Sequence, residues 1–149
     1  MPVVETEVNI PNATLDEVWE VVSAFERYPE TMADVIDVDW LERADDRGVT
    51  NWRVLLNGSE LTWTETDLFH PNTRIDFEQL DGDLEVWRGA WELEQVTDGV
   101  RVKLTVEFDL GVPSLSAVMD PLGIRAIRSN SHAMLATISE LTTARSGQQ

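Results

Sequence analysis

Val4, Thr6, Val8 and Ile10 alternate with Glu5, Glu7 and Asn9, the period of two that marks a half-buried first strand, and Pro11-Asn12 ends it. Thr14 with Glu17 three residues later forms a capping box, and Leu15, Val18, Trp19 and Val22 then recur on one face at helical spacing. A second short helix is predicted from Phe25 to about Met32, interrupted by Pro29. Period two returns at Val35 and persists through Leu110. Turn signals at Asp45-Asp46-Arg47-Gly48, Asn57-Gly58, His70-Pro71-Asn72, Asp81-Gly82 and Asp98-Gly99 divide it into six strands of a meander.

Asn57-Gly58 sets the register. A type I′ turn needs two residues that tolerate positive φ, and placing these two in it pairs Leu56 with Ser59, Val54 with Leu61, Trp52 with Trp63 and Thr50 with Glu65 on one face. By parity Trp63, Glu65, Asp67 and Phe69 share that face on one strand, and Trp87, Gly89, Trp91 and Leu93 share it on another. Val102, Leu104, Val106, Phe108 and Leu110 line the last strand.

After Gly111-Val112-Pro113 the pattern is helical from about Ser114 to Thr143. Val118, Met119, Leu122, Ala126, Asn130, Ala133, Met134, Thr137, Ile138 and Leu141 fall on one stripe, and Pro121 with Gly123 predicts a kink. Residues 1–143 thus read as one α+β domain. A seven-stranded, curved antiparallel sheet surrounds a long C-terminal helix, with two short helices between strands 1 and 2; Ala144–Gln149 reads as a flexible polar tail.

Composition narrows the function. An apolar content of 42% in 149 residues supplies a core for one domain. The 28 acidic against 11 basic residues give a formal charge of −17, which repels phosphate backbones and argues against nucleic acid as a partner. No apolar run is long enough for a membrane span, and Met1–Ile10 lacks the pattern of a signal peptide, so a cytoplasmic protein is expected. With no cysteine and only His70 and His132, no metal site is expected.

The element order, together with Phe25-Glu26-Arg27-Tyr28-Pro29-Glu30, the run Arg74-Ile75-Asp76-Phe77-Glu78-Gln79-Leu80-Asp81-Gly82 and Gly89-Ala90-Trp91-Glu92-Leu93, resembles the helix-grip (START-like, SRPBCC) superfamily. The nearest patterns are the bacterial aromatic polyketide aromatase/cyclases and the coenzyme Q-binding proteins. The resemblance implies a hydrophobic ligand held between sheet and long helix, with Trp63, Trp87 and Trp91 in the pocket wall. It also departs from the cyclase pattern: an inner-face arginine of some cyclases aligns with Asp67, a small polar neighbour with Glu65, and a pocket tyrosine with Val35.

Glu65 and Asp67, two apart on one strand, project to the same side with Cα atoms about 6.5 Å apart, so in a desolvated pocket their like charges and burial both raise a carboxyl pKa. One could then act as general acid while the other removes a proton α to a ketone; hydrated at the mouth, both would add only solubility. Trp52, Trp63, Trp87, Trp91 and Phe77 are the expected substrate-binding wall, and Asn130 the expected polar contact from the last helix. Trp19 reads as core, and His132 as surface or rim.

The function expected is that of a polyketide cyclase/aromatase-like enzyme. It would bind a poly-ketone intermediate, presented on an acyl carrier protein, and assist aldol closure and dehydration through Glu65 and Asp67 with no cofactor, as a monomer or homodimer. The alternative is a non-enzymatic carrier of a quinone, isoprenoid or similar lipophilic molecule, which has no reason to bury two carboxylates.

Overall fold

The computed structural model describes residues 2–56, 58–109 and 116–146. Strand β1 spans Val3–Pro11 and turns at Asn12, whose φ of 63° suits an asparagine. Helix α1 (Leu15–Ser23) begins with the expected capping box: Thr14 Oγ1 accepts from the Glu17 backbone, and the Glu17 carboxylate accepts from the Thr14 backbone at 3.0 Å. A 3₁₀ turn at Phe25–Arg27 leads into the short helix α2 (Tyr28–Thr31), where Pro29 sits in the first turn, a position that has no helical N–H bond to lose.

Six antiparallel strands follow: β2 (Val35–Arg43), β3 (Arg47–Leu56), β4 (Ser59–His70), β5 (Arg74–Gly82), β6 (Val86–Val96) and β7 (Gly99–Asp109). They form one seven-stranded sheet in the order β1-β7-β6-β5-β4-β3-β2. The β3–β4 register is the expected one, pairing Leu56 with Ser59, Val54 with Leu61, Trp52 with Trp63 and Thr50 with Glu65. Gly58 has φ 81°; Asn57, the other half of the predicted turn, lies outside the described residues, as does Leu110.

One turn is displaced. Asp81 and Gly82 remain in β5, opposite Thr64 and Trp63, and the chain reverses at 83–85 instead. The cause is a bulge: Glu65 pairs with Gln79 and Thr64 with Asp81, so Leu80 is the extra residue and is 61% exposed.

Helix α3 (Ser116–Ser146) contains Pro121 and packs chiefly on β1 and α1. It reaches three residues beyond the expected Thr143 end, because Ala144 and Arg145 are good helix formers; residues 147–149 lie outside those described. The buried stripe also differs. Ile127, Ser131, Met134, Leu135, Ile138 and Thr142 face inward, while Leu122 is 54% exposed and Ala133 is exposed, so the inward face is turned about one residue from the expected stripe. Small and hydroxylated residues around α3 make its apolar face weak, and packing against the sheet decides its rotation.

The inner face of the sheet carries the core. Phe25, fully buried, is its aromatic hub, meeting Tyr28, Trp40, Trp52 and Phe69 with ring centroids 5.2 to 6.1 Å apart. Trp19, expected in the core, is partly buried and meets Phe69 edge-on at 6.4 Å. Gly89 lies between Trp87 and Trp91 on β6, and a Cβ there would come 1.9 Å from the Thr105 carbonyl and 2.9 Å from the Phe77 ring. Gly89→Ala therefore forces β6 away from β7. A loss of about 1–3 kcal/mol is expected for such overpacking, read as a lower urea midpoint at unchanged slope.

Candidate functional site

Because β3, β4 and β6 present alternate residues to α3, their inward tryptophans converge. Trp52 and Trp63 are stacked at 6.1 Å with planes 6° apart, and Trp63 meets Trp87 at 4.8 Å. Between these rings, Phe77, Trp91, Val54, Leu104, Val106 and the α3 residues Asn130, Ser131 and Met134 lies about 430 Å³ of atom-free space, its opening included. The four lining tryptophans are each at least nine-tenths buried. The cavity is consequently narrow, with the rings packed against one another in its wall.

Glu65 is the one ionisable side chain among its lining residues. Glu65 is 3% exposed and Asp67 not at all, so neither sits hydrated at a mouth. Their partners come from the same two strands: Trp63 Nε1 donates to Glu65 Oε1 at 2.7 Å, and Thr50 Oγ1 donates to Asp67 Oδ2 at 2.6 Å. Trp52 Nε1 in turn donates to Thr50 Oγ1 at 2.8 Å, which leaves the threonine proton for Asp67. Asp67 Oδ1 is buried without a donor among the described residues.

Burial holds the Glu65 carboxyl well above the ordinary range; proton sharing with Asp67 and repulsion by its charge act in the same direction, and the Trp63 N–H opposes them. Burial also raises Asp67, while hydrogen bonding from Glu65 and Thr50 pulls it back. Burial thus raises both carboxyls, and the two titrate as an interacting pair, with Glu65 lining the cavity and Asp67 buried beside it. This arrangement can donate a proton to a bound oxygen and leave the resulting charge on a pair already braced by two donors.

Tyr28 was not singled out by the sequence pattern. Its ring meets Trp52 and Trp91 edge-on, its hydroxyl donates to the Val22 carbonyl, and its pKa is raised by burial and then by the charges of Glu65 and Asp67. Thr50 was missed as a polar partner too, although a threonine opposite Glu65 on an inward face has to find a hydrogen bond. Val35, aligned with the cyclases' pocket tyrosine, is a buried apolar residue at the start of β2. Asn130 lines the cavity with its Nδ2 buried and unpartnered among the described residues; His132 is exposed. No cluster of metal-ligating side chains is present among the described residues, and no described helix is long and apolar enough to cross a membrane.

Known proteins sharing this architecture are numerous. A Thermus thermophilus protein, TTHA0849, superposes with a TM-score of 0.89 at 23% identity, covering 97% of this chain and 99% of the other. The ZhuI aromatase/cyclase of Streptomyces sp. R1128 gives 0.86 at 21% identity, over 97% and 94%. A STAR-related lipid transfer protein of Xanthomonas axonopodis gives 0.70 at 15%, over 93% and 84%. At these identities the likeness is one of fold, the helix grip. No curated protein sequence matches the chain significantly. The family model described as polyketide cyclase / dehydrase and lipid transport, however, matches residues 11–135, and with most of its length inside that match the chain belongs to this family.

Proposed function

We propose that the protein is a polyketide cyclase/aromatase-like enzyme that folds a poly-ketone intermediate in the tryptophan-walled cavity and assists aldol closure or dehydration. The observation that carries this reading is the buried Glu65–Asp67 pair, with Glu65 lining the cavity and burial raising its carboxyl pKa. Glu65 donates that proton to a ketone oxygen or to a departing hydroxyl; the ionised pair then takes up a proton from the carbon between two carbonyls, restoring the starting state. The arginine aligned with Asp67 in some cyclases would supply positive charge at this place; here a carboxylic acid polarises the carbonyl instead. The wall of Trp52, Trp63, Trp87, Trp91 and Phe77 limits which carbons meet. In this reading the substrate arrives in the cytoplasm on an acyl carrier protein.

A carrier of a lipophilic molecule is the second reading, favoured by the family's other named role, lipid transport, and by a cavity lined mostly by apolar groups. It gives no use to a proton held between two buried carboxyls, whose burial costs several kcal/mol unless the charges are compensated.

Glu65→Gln and Asp67→Asn keep size and hydrogen bonding while removing proton exchange. In single-turnover cyclisation of a carrier-bound poly-ketone, at least one should slow by about 10²-fold or more with little change in ligand affinity; full activity in both would remove the acid/base mechanism. Trp63→Ala should weaken binding of an aromatic ligand by a few kcal/mol, roughly the worth of a large buried ring, measurable by titration calorimetry.

Stability offers a test that needs no substrate. A carboxyl whose folded pKa lies above its ordinary value of 4.5 favours folding fully below that value, and the favour is lost as pH rises toward the folded pKa. Glu65→Gln should therefore be more stable than the parent at pH 8, with the advantage shrinking as pH falls toward 4.5, as followed by urea unfolding across that range. An advantage independent of pH would show that Glu65 is not the group retaining the proton.

A further inference from the structure

The interior cavity and a groove on the surface have one residue in common. The groove lies between α3 and the β3–β4 hairpin, takes in about 820 Å³ of atom-free space with the open solvent above it included, and is lined by Asp34, Leu55, Leu122, Arg125, Ser129 and Asn130 among others. Asn130 also lines the cavity, and its buried Nδ2 has no acceptor among the described residues. This amide is thus common to the walls of the interior cavity and the surface groove, with a donor left without an acceptor among the described residues.

Charge differs sharply on the two sides of Asn130. No basic residue lines the cavity, and Glu65 in its wall with Asp67 beside it makes the interior hostile to an anion. In the groove Arg125 is exposed, with no ion pair or hydrogen bond among the described residues. Five other cations are committed to carboxylates: Arg53 to Asp37 and Glu60, Arg74 to Asp76 and Glu92, Arg88 to Glu107, Arg101 to Glu94, and Lys103 to Glu5. On a chain of net charge −17, an uncommitted guanidinium in this groove is a local source of positive potential in a field that otherwise repels anions. Asp34 is the one carboxylate lining the same groove, and it bears no ion pair to Arg125. Leu55 and Leu122 give the groove an apolar side, and Leu122 is 54% exposed with nothing over it among the described residues.

We propose that this groove is the mouth of the cavity and that Arg125 receives an anionic group on the ligand. The ligand is then amphipathic: its apolar body lies among the tryptophans, a polar atom at the passage accepts from Asn130 Nδ2, and a carboxylate or phosphate stays outside on Arg125. The groove also fixes which end enters first, because the charged end cannot follow the body past Asn130 toward Glu65 and Asp67. This inference does not depend on the site being catalytic.

Two fluorescent probes test it, since 8-anilinonaphthalene-1-sulfonate and N-phenyl-1-naphthylamine carry the same ring systems and differ in the sulfonate. Arg125→Gln should weaken the sulfonate by about fivefold or more while changing the neutral amine by less than about twofold, as expected for loss of a charge-assisted contact. Arg128→Gln, an exposed neighbour outside the groove, should change neither. Equal losses for both probes, or no loss with Arg125→Gln, would overturn the proposal. Competition then separates the sources of the anion: displacement of the sulfonate by dodecanoate points to a free carboxylic acid, and displacement by S-octanoyl phosphopantetheine points to a tethered substrate. Displacement by neither would also overturn it. No turnover enters these measurements, so an inactive protein would leave the result standing, and loss of Arg125 dependence would leave the acid/base reading untouched.

Discussion

The pairing register of β3 with β4 is the constraint on which the site rests. One alignment places Trp52 opposite Trp63 and Thr50 opposite Glu65, and the pleat sends all four inward together with Asp67. Slipping it by one residue would expose two indoles and bury Asn51, Arg53 and Thr64 instead, a large loss of apolar burial. The hydrogen bonds follow from the same alignment. Residues two apart on a strand lie side by side, so Trp63 reaches Glu65 and Trp52 reaches Thr50, while the cross-strand neighbourhood brings Thr50 to Asp67.

That geometry links the aromatic wall to the carboxyl pair. A buried indole N–H needs an acceptor, and a buried carboxylate needs donors; each supplies the other's want. Compensation is incomplete, however, since Asp67 Oδ1 has no donor among the described residues and two acids share one apolar region. Burial answers this by raising both carboxyl pKa values, with Asp67 adding to the rise at Glu65, which opposes the accumulation of two negative charges there. A site arranged this way works against stability, and such costs are characteristic of functional positions.

How far the sequence disclosed this depends on how strongly each segment is patterned. The β3–β4 hairpin was legible because alternation, a turn dipeptide and paired tryptophans agree, and α1 because Thr14 and Glu17 cap a clear amphipathic run. Leu80 was not, since a bulge breaks parity without any local signal and moved the Asp81-Gly82 turn into the strand. The rotation of α3 was hidden for another reason: with alanines, serines and threonines around its circumference, no face dominates, and contacts with β1 and α1 choose the one centred on Leu135 and Ile138. Tyr28 belongs to a motif noted for the fold, yet its approach to Trp52, Trp91 and the carboxyls comes from packing between α2 and the distant strands.

Ligand entry and proton affinity are joined by this construction. The rings of Trp52, Trp63 and Trp87 pack against one another in the wall of a narrow cavity, and Trp63 cannot move to admit a ligand without disturbing its bond to Glu65. Weakening that bond removes the interaction that lowers the Glu65 pKa, and an apolar body in place of solvent adds to the desolvation that raises it. Both changes strengthen the hold of Glu65 on its proton as the ligand seats. An uncharged ligand thus favours the protonated pair, whereas an anion would have to enter against Asp67. The burial that disfavours charge in the interior is the same burial that raises the pKa of the acids held there.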